Sequence, residues 1–143
     1  MFDDLALLEL QSKFDNKTEI ISLPESAQYN AEQVGKGKVL GSDTKSKSLV
    51  YLDVSVLTLA ECSEYYTSIY SHQVCVINTK TNSCTAESGF PFIQIVDNKS
   101  ILVGIASCSL EECAKAPSMY TRVDKYLSFI NKSINGEKFV ARC

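Results

Sequence analysis

The strictest alternation in the chain runs through LVYLDVSVLTL (49–59), where Val50, Leu52, Val54 and Val56 share one face and the residues between them are mostly polar or aromatic. A period of two over that length predicts a half-buried strand. Shorter apolar runs, LALLEL (5–10), HQVCVI (72–77), PFIQIV (91–96), ILVGIASC (101–108) and SMYTRV (118–123), are further strand candidates. Asp97-Asn98-Lys99 separates two of them and predicts a hairpin turn, since Asn and Asp tolerate left-handed backbone. Helical spacing is clear near the end, where Val123, Tyr126, Leu127, Ile130 and Ile134 recur at three and four and Asn135-Gly136 supplies a stop. Thr58-Leu59-Ala60-Glu61 offers a capping box for a second, short helix before Cys62. The Gly- and Lys-rich stretch GKGKVLGSDTKSKS (35–48) predicts mostly loop, and no internal repeat is present. Short strands punctuated by turns predict an antiparallel barrel or sandwich closed by a C-terminal helix.

Composition narrows the picture. The 143 residues suit one compact domain, 1–143, within the usual range of about 100–200 residues. A formal net charge of −3 without a basic stripe argues against a nucleic acid or a lipid surface as partner. Six cysteines, Cys62, Cys75, Cys84, Cys108, Cys113 and Cys143, lack paired C-x-x-C spacing and are accompanied by one histidine, so disulfides are expected and no metal or cofactor is implied. Three N-x-[ST] triplets begin at Asn16, Asn98 and Asn131. Cysteines and triplets together predict a secreted, extracellular protein. The opening FDDLALLELQ has neither a basic n-region nor a long apolar h-region, which leads to the expectation that a segment precedes Met1.

The stretch CTAESGFPF (84–92) carries the candidate chemistry. Ser88 sits in a turn between two predicted strands, where a hydroxyl could be presented to a substrate beside backbone amides able to hold an oxyanion. The same position also suits a serine that merely hydrogen-bonds its own turn.

The order of motifs decides between them. DDLALLEL, ISLPES, Cys62 and Cys75, CTAESGFP, GIASC and PSMYTRVDKYLSFI, taken in sequence, resemble the second half of a chymotrypsin/trypsin-like serine protease of the S1 family over almost the whole chain. The resemblance implies an all-β fold, an antiparallel six-stranded β-barrel with a C-terminal α-helix. It implies that Asp4 takes the place of the triad aspartate, with Asp3 adjacent, and Ser88 that of the nucleophile. The backbone amides of Ala86 and Ser88 would form the oxyanion hole. Asn82 would lie at the base of the primary specificity pocket, with Ser107, Ser109 and Ser118 along its walls; without an aspartate at the base, a Lys/Arg preference is not expected. It also implies disulfides Cys62–Cys75 and Cys84–Cys113. Cys108 and Cys143 remain open: free, mutually paired, or bonded to another segment.

The departures shape the functional expectation. A triad needs a histidine between Asp4 and Ser88, and in this family it precedes the aspartate. The one histidine, His72, lies between Cys62 and Cys75, where the family has no catalytic role. Ala86, Glu87 and Phe90 replace the Gly, Asp and second Gly of Gly-Asp-Ser-Gly-Gly-Pro, Phe90 threatening a clash or a repacked core, and Leu40 stands near the usual Gly-Trp-Gly. The expectation is a fragment of a serine endopeptidase, inactive alone and normally packed against a missing N-terminal barrel, with a protein or peptide as substrate or partner. The alternative is a protease homologue kept as a secreted binding or regulatory module. A small disulfide-rich adhesive or inhibitor module explains less, because it accounts for neither LALLEL nor PSMYTRV.

Overall fold

In the computed structural model of the chain, the described residues are 4–43, 48–78, 88–109 and 116–136, with only the backbone taken at 42, 43, 108 and 109. Six strands form the body: β1 (Lys36–Asp43), β2 (Ser48–Leu57), β3 (Gln73–Ile77), β4 (Pro91–Val96), β5 (Lys99–Ser109) and β6 (Ser118–Arg122). They close into an antiparallel barrel in the order β1-β2-β3-β6-β5-β4, the expected architecture. The closing seam between β1 and β4 is short, Lys38 with Ile93 and Val39 with Phe92, and it joins the two outer strands of the sheet.

Alternation fills the interior as the pattern predicts. On β2, burial deepens from Val50 and Leu52 to Val54 while Tyr51, Asp53 and Ser55 face out. Val54 joins Val39, Val74, Val76, Phe92, Val103, Ala106 and Tyr120 in the main core, where the Phe92 and Tyr120 rings meet edge to face at 5.7 Å. The tight turn between β4 and β5 puts both Asp97 and Asn98 at positive φ, the left-handed conformation that suits a two-residue hairpin. A smaller cluster forms around Met119 and the Cys62–Cys75 disulfide. That bridge spans a separation of 13 residues, for which the chain-entropy model gives about 3 kcal/mol.

Helix α2 (Leu59–Cys62) begins with the expected capping box: the Glu61 amide donates to Thr58 Oγ1, and the Glu61 carboxylate accepts from the Thr58 amide at 2.8 Å. Those bonds to its charged form hold the Glu61 carboxyl below its ordinary value. The chain ends its described course in a 3₁₀ turn (Val123–Tyr126) running into α3 (Leu127–Ile134), stopped at Asn135-Gly136.

Three expectations are corrected. The stretch 35–48 is not mostly loop: β1 pairs with β2 along all of Lys36–Asp43. Its composition misleads because Gly37 is a packing requirement, a Cβ there running into the Phe92 ring and the Ile93 carbonyl oxygen. Lys38 turns outward, bonding Asp53 at 2.8 Å and lying over the Tyr51 ring. LALLEL forms no strand among residues 4–10; the β5 edge beyond β6 is taken by Ser22 instead. Ile134 is exposed instead of continuing the buried stripe. The 3₁₀ turn advances about 3.0 residues per turn, so the 3.6-residue phase counted from Val123 no longer holds at the far end of α3.

A further short helix, α1 (Ala31–Val34), was not anticipated. Asn30 caps it, its Oδ1 accepting from the Gln33 amide at 3.1 Å, and Gly35 ends it in the left-handed conformation.

Candidate active site

Strand β5 aligns the site. The Gly89 amide donates to the Ala106 carbonyl at 2.8 Å and the Ala106 amide to the Phe90 carbonyl at 2.8 Å, hooking the turn that carries Ser88 onto the strand. Gly89 has φ +89, a conformation that strains any residue with a Cβ. At the next position along β5, the Ser107 hydroxyl donates to Asp4 Oδ2 at 2.6 Å across 103 residues of sequence. A hydroxyl bonded to a carboxylate is a short, charge-assisted contact that fixes the acceptor's orientation. Ala106 thus anchors the serine's turn and Ser107 anchors the acid.

Asp4 and Ser88 both line one cleft of about 690 Å³ between residues 4–8 and the barrel. Its other walls are mainly apolar, with Leu5, Leu8, Leu23, Leu102 and Ile105 among them, so a few polar groups stand in a largely hydrophobic recess. Ser88 is exposed and Asp4 half-buried. His72 is not part of the cleft lining; it lies just before β3, its ring stacked on Tyr70 at 5.5 Å and edge-on to Tyr126 at 6.4 Å. Among the described residues no group of three or more His, Cys, Asp or Glu side chains could hold a metal ion.

Phe90 resolves as a repacked core. Its ring is half-buried against the main hydrophobic cluster, so the side chain that replaces a glycine packs on the barrel. Ser107, read from sequence as a pocket wall, also makes the bond to Asp4, and nothing in its local pattern signals a contact so distant along the chain. Ser118 opens β6, half-buried and paired with Val76 on one side and Ser109 on the other. Behind it, Tyr120 is wholly buried, its hydroxyl has no hydrogen-bond partner among the described residues, and burial pushes its phenol above the ordinary value. Asn82, Ala86, Cys84 and Cys113, with Asp3, Glu87 and Cys143, lie outside the described residues, as do the side chains of Ser109 and Cys108.

A family model described as Trypsin matches residues 2–130. A curated trypsin from Squalus acanthias is 32% identical over 142 residues, covering 92% of this chain and 60% of its own length. The chain therefore spans about 60% of that relative. Among solved structures, the scabies mite inactivated protease paralogue S-I1 superposes with a TM-score of 0.70 at 24% identity, covering 87% of this chain and 57% of its own. Kallikrein-related peptidase 10 in complex with Zn2+ gives a TM-score of 0.67 at 27% identity, over 83% of this chain and 57% of its own.

Proposed function

The chain belongs to the trypsin family of serine proteases, and from that premise we propose that it is the second-barrel portion, residues 1–143, of a trypsin-like endopeptidase without peptidase activity of its own. The observation that carries the reading is the shared cleft: Asp4, oriented by Ser107, and Ser88, held by the hook to Ala106, face the same recess, while His72 lines no part of it. Attack by a serine hydroxyl needs a base to take its proton, and an aspartate in this arrangement orients that base and stabilises its cation. Asp4 and Ser88 are the outer members of such a relay, and the imidazole between them must come from a partner. Trypsin-like proteases bind protein or peptide substrates; here Asn82, Ser107, Ser109 and Ser118 would surround the substrate's side chain in a neutral pocket, with Ala86 and Ser88 amides as the oxyanion hole. No cofactor is required for this chemistry.

The partner is a first barrel. Leu8 is 89% exposed and Ile20 93%, with Leu10 and Phe14 also open, and a barrel packed over them would cover this surface and supply the base. The Cys62–Cys75 disulfide supports a secretory setting.

Phe90 favours a second reading, that of a non-catalytic homologue. Its packing against the core fixes the serine's turn by hydrophobic contact, in a segment where Ala86 and Glu87 also depart from the family pattern. One of the similar structures is itself described as an inactivated paralogue.

Treatment of the purified chain with a serine-reactive fluorophosphonate tests the first claim. No labelling is expected; prompt labelling abolished by Ser88→Ala would refute it. Fusing the chain behind the N-terminal part of the Squalus acanthias trypsin separates the two readings. Labelling that appears in the fusion supports a protease portion, and a folded fusion that stays unlabelled supports the homologue.

A further inference from the structure

From the β4–β5 hairpin and the outer row beside it, we infer that Asn98 is an N-glycosylation site whose glycan covers an exposed isoleucine row on the barrel's outer face; this rests on the secretory reading above. The triplet Asn98-Lys99-Ser100 sits at the tip of the hairpin, and all three of its residues are exposed. Asn98 has φ 61 in the two-residue turn at the end of the sheet, and its side chain is exposed.

Two exposed isoleucines lie beside the triplet. Beyond the point where β6 leaves β5, residue 22 takes over that edge: the Ser22 amide donates to the Ser100 carbonyl at 3.3 Å and the Leu102 amide to the Ser22 carbonyl at 2.9 Å. Ser100 is also paired with Ile95 on β4. Strand alternation therefore sets Ile21, Ser100 and Ile95 in one row across three segments, with Ile95 53% and Ile21 40% exposed. Two steps along each segment, Leu23 and Leu102 continue the same face as lining of the cleft. The row is thus the outer margin of the cleft face, and a glycan at the hairpin tip would screen it from water-driven self-association while bounding the surface open to a docked barrel.

The other two triplets are placed differently. Thr18 already donates its hydroxyl to Asp15 at 2.8 Å, and Asn131 stands within α3, its carbonyl accepting from the Asn135 amide. Ser100 makes no side-chain hydrogen bond among the described residues, so its hydroxyl is open to a transferase. In the reaction, the Asn98 amide nitrogen bonds to the anomeric carbon of an oligosaccharide carried on a polyprenyl diphosphate. The carbon–oxygen bond to that diphosphate breaks, the diphosphate leaves, and the nitrogen gives up one proton.

The full chain, sent into the secretory lumen of a eukaryotic cell behind a cleavable leader, should yield protein in which most copies carry glycan at Asn98. Occupancy is read in both the lumenal and the exported pools by glycosidase-induced conversion of Asn98 to aspartate in heavy-oxygen water and peptide mass mapping. Asn98→Gln and Ser100→Ala should each abolish the Asn98 signal, and Ser100→Thr should keep it. An unmodified Asn98 in protein whose Cys62–Cys75 disulfide has closed overturns the site while leaving the secretory reading intact; a chain that stays reduced in the lumen counts against the secretory reading itself, and Asn98 occupancy still decides the site. Enzymatic removal of the glycan should raise self-association, and Ile21→Thr/Ile95→Thr should reverse the rise. No change on removal would overturn the screening role.

Discussion

Residues 5–21 and residues 22–35 lie side by side in the sequence and meet the barrel in opposite ways. The first stretch is the more apolar, with Leu5, Leu7, Leu8, Leu10, Phe14, Ile20 and Ile21, yet among the described residues its hydrogen bonds stay within the Asp15–Thr18 turn. The second is mostly polar and is fastened to several elements. Ser22 pairs with β5, Tyr29 donates its hydroxyl to Gln94, and Gln94 donates in turn to the carbonyls of Ala31 and Lys36. Arg122 reaches the Tyr29 carbonyl at 2.8 Å and Lys125 the Ala27 carbonyl at 2.7 Å, both held by Asp124. Apolar content states what a segment would gain from burial; only partners within the same fold realise it. The polar strap has its partners in this barrel, and the apolar stretch has a cleft on one side and solvent on the other.

Breaking the strap should have the largest effects. Asp124 is 1% exposed and accepts from Arg122 through two guanidinium nitrogens, so Asp124→Ala leaves two cations without their counter-ion and should cost about 3 kcal/mol by equilibrium denaturation. Proteolysis should then open near residues 22–30. Gln94→Leu removes three bonds at a wholly buried position and should cost about 2 kcal/mol, because the carbonyls of Ala31 and Lys36 lose a donor. Alkali sharpens the comparison further. Burial raises the Tyr29 phenol above 10.0, so the neutral, donating form is favoured by folding. Its contribution is complete below the unfolded value and is lost as pH climbs through the raised folded one. Tyr29→Phe should therefore flatten part of the fall in melting temperature above about pH 10, a fall to which Tyr120 and Lys38, both also raised, contribute.

The barrel was legible wherever one strand face is buried and the other is not. PFIQIV, read as residues 91–96, coincides with Pro91–Val96, and the alternation of β2 appears in its burial. Gln94 is instructive within that run: it shares the inward phase of Phe92, and a polar residue at an inward position already implies buried partners without naming them. β1 was missed because glycine and lysine read as turn residues until the Phe92 ring that demands Gly37 is in place. LALLEL shows the converse, since a strand pattern needs a paired edge and the open stretch of β5 is taken by Ser22, not by residues 5–10. At the site, motif order puts Asp4 and Ser88 forward as candidates and both line one cleft, but the Ser107 bond that orients Asp4 depends on the path of β5, which no local pattern encodes.

The smallest expected effect is the most diagnostic. Leu8→Ser and Ile20→Ser replace exposed side chains that touch little in this barrel, so each should change the stability of the isolated chain by no more than about 0.5 kcal/mol. The same substitutions should reduce self-association, since they remove apolar surface presented to solvent, and should weaken capture by a first barrel offered in trans. A loss comparable to that of Asp124→Ala would mean that residues 5–21 are packed within this chain after all, and the contrast with the strap would fail. Unchanged stability with weakened capture would instead separate the two roles: residues 22–35 hold this barrel together, and residues 5–21 belong energetically to what docks over Asp4 and Ser88.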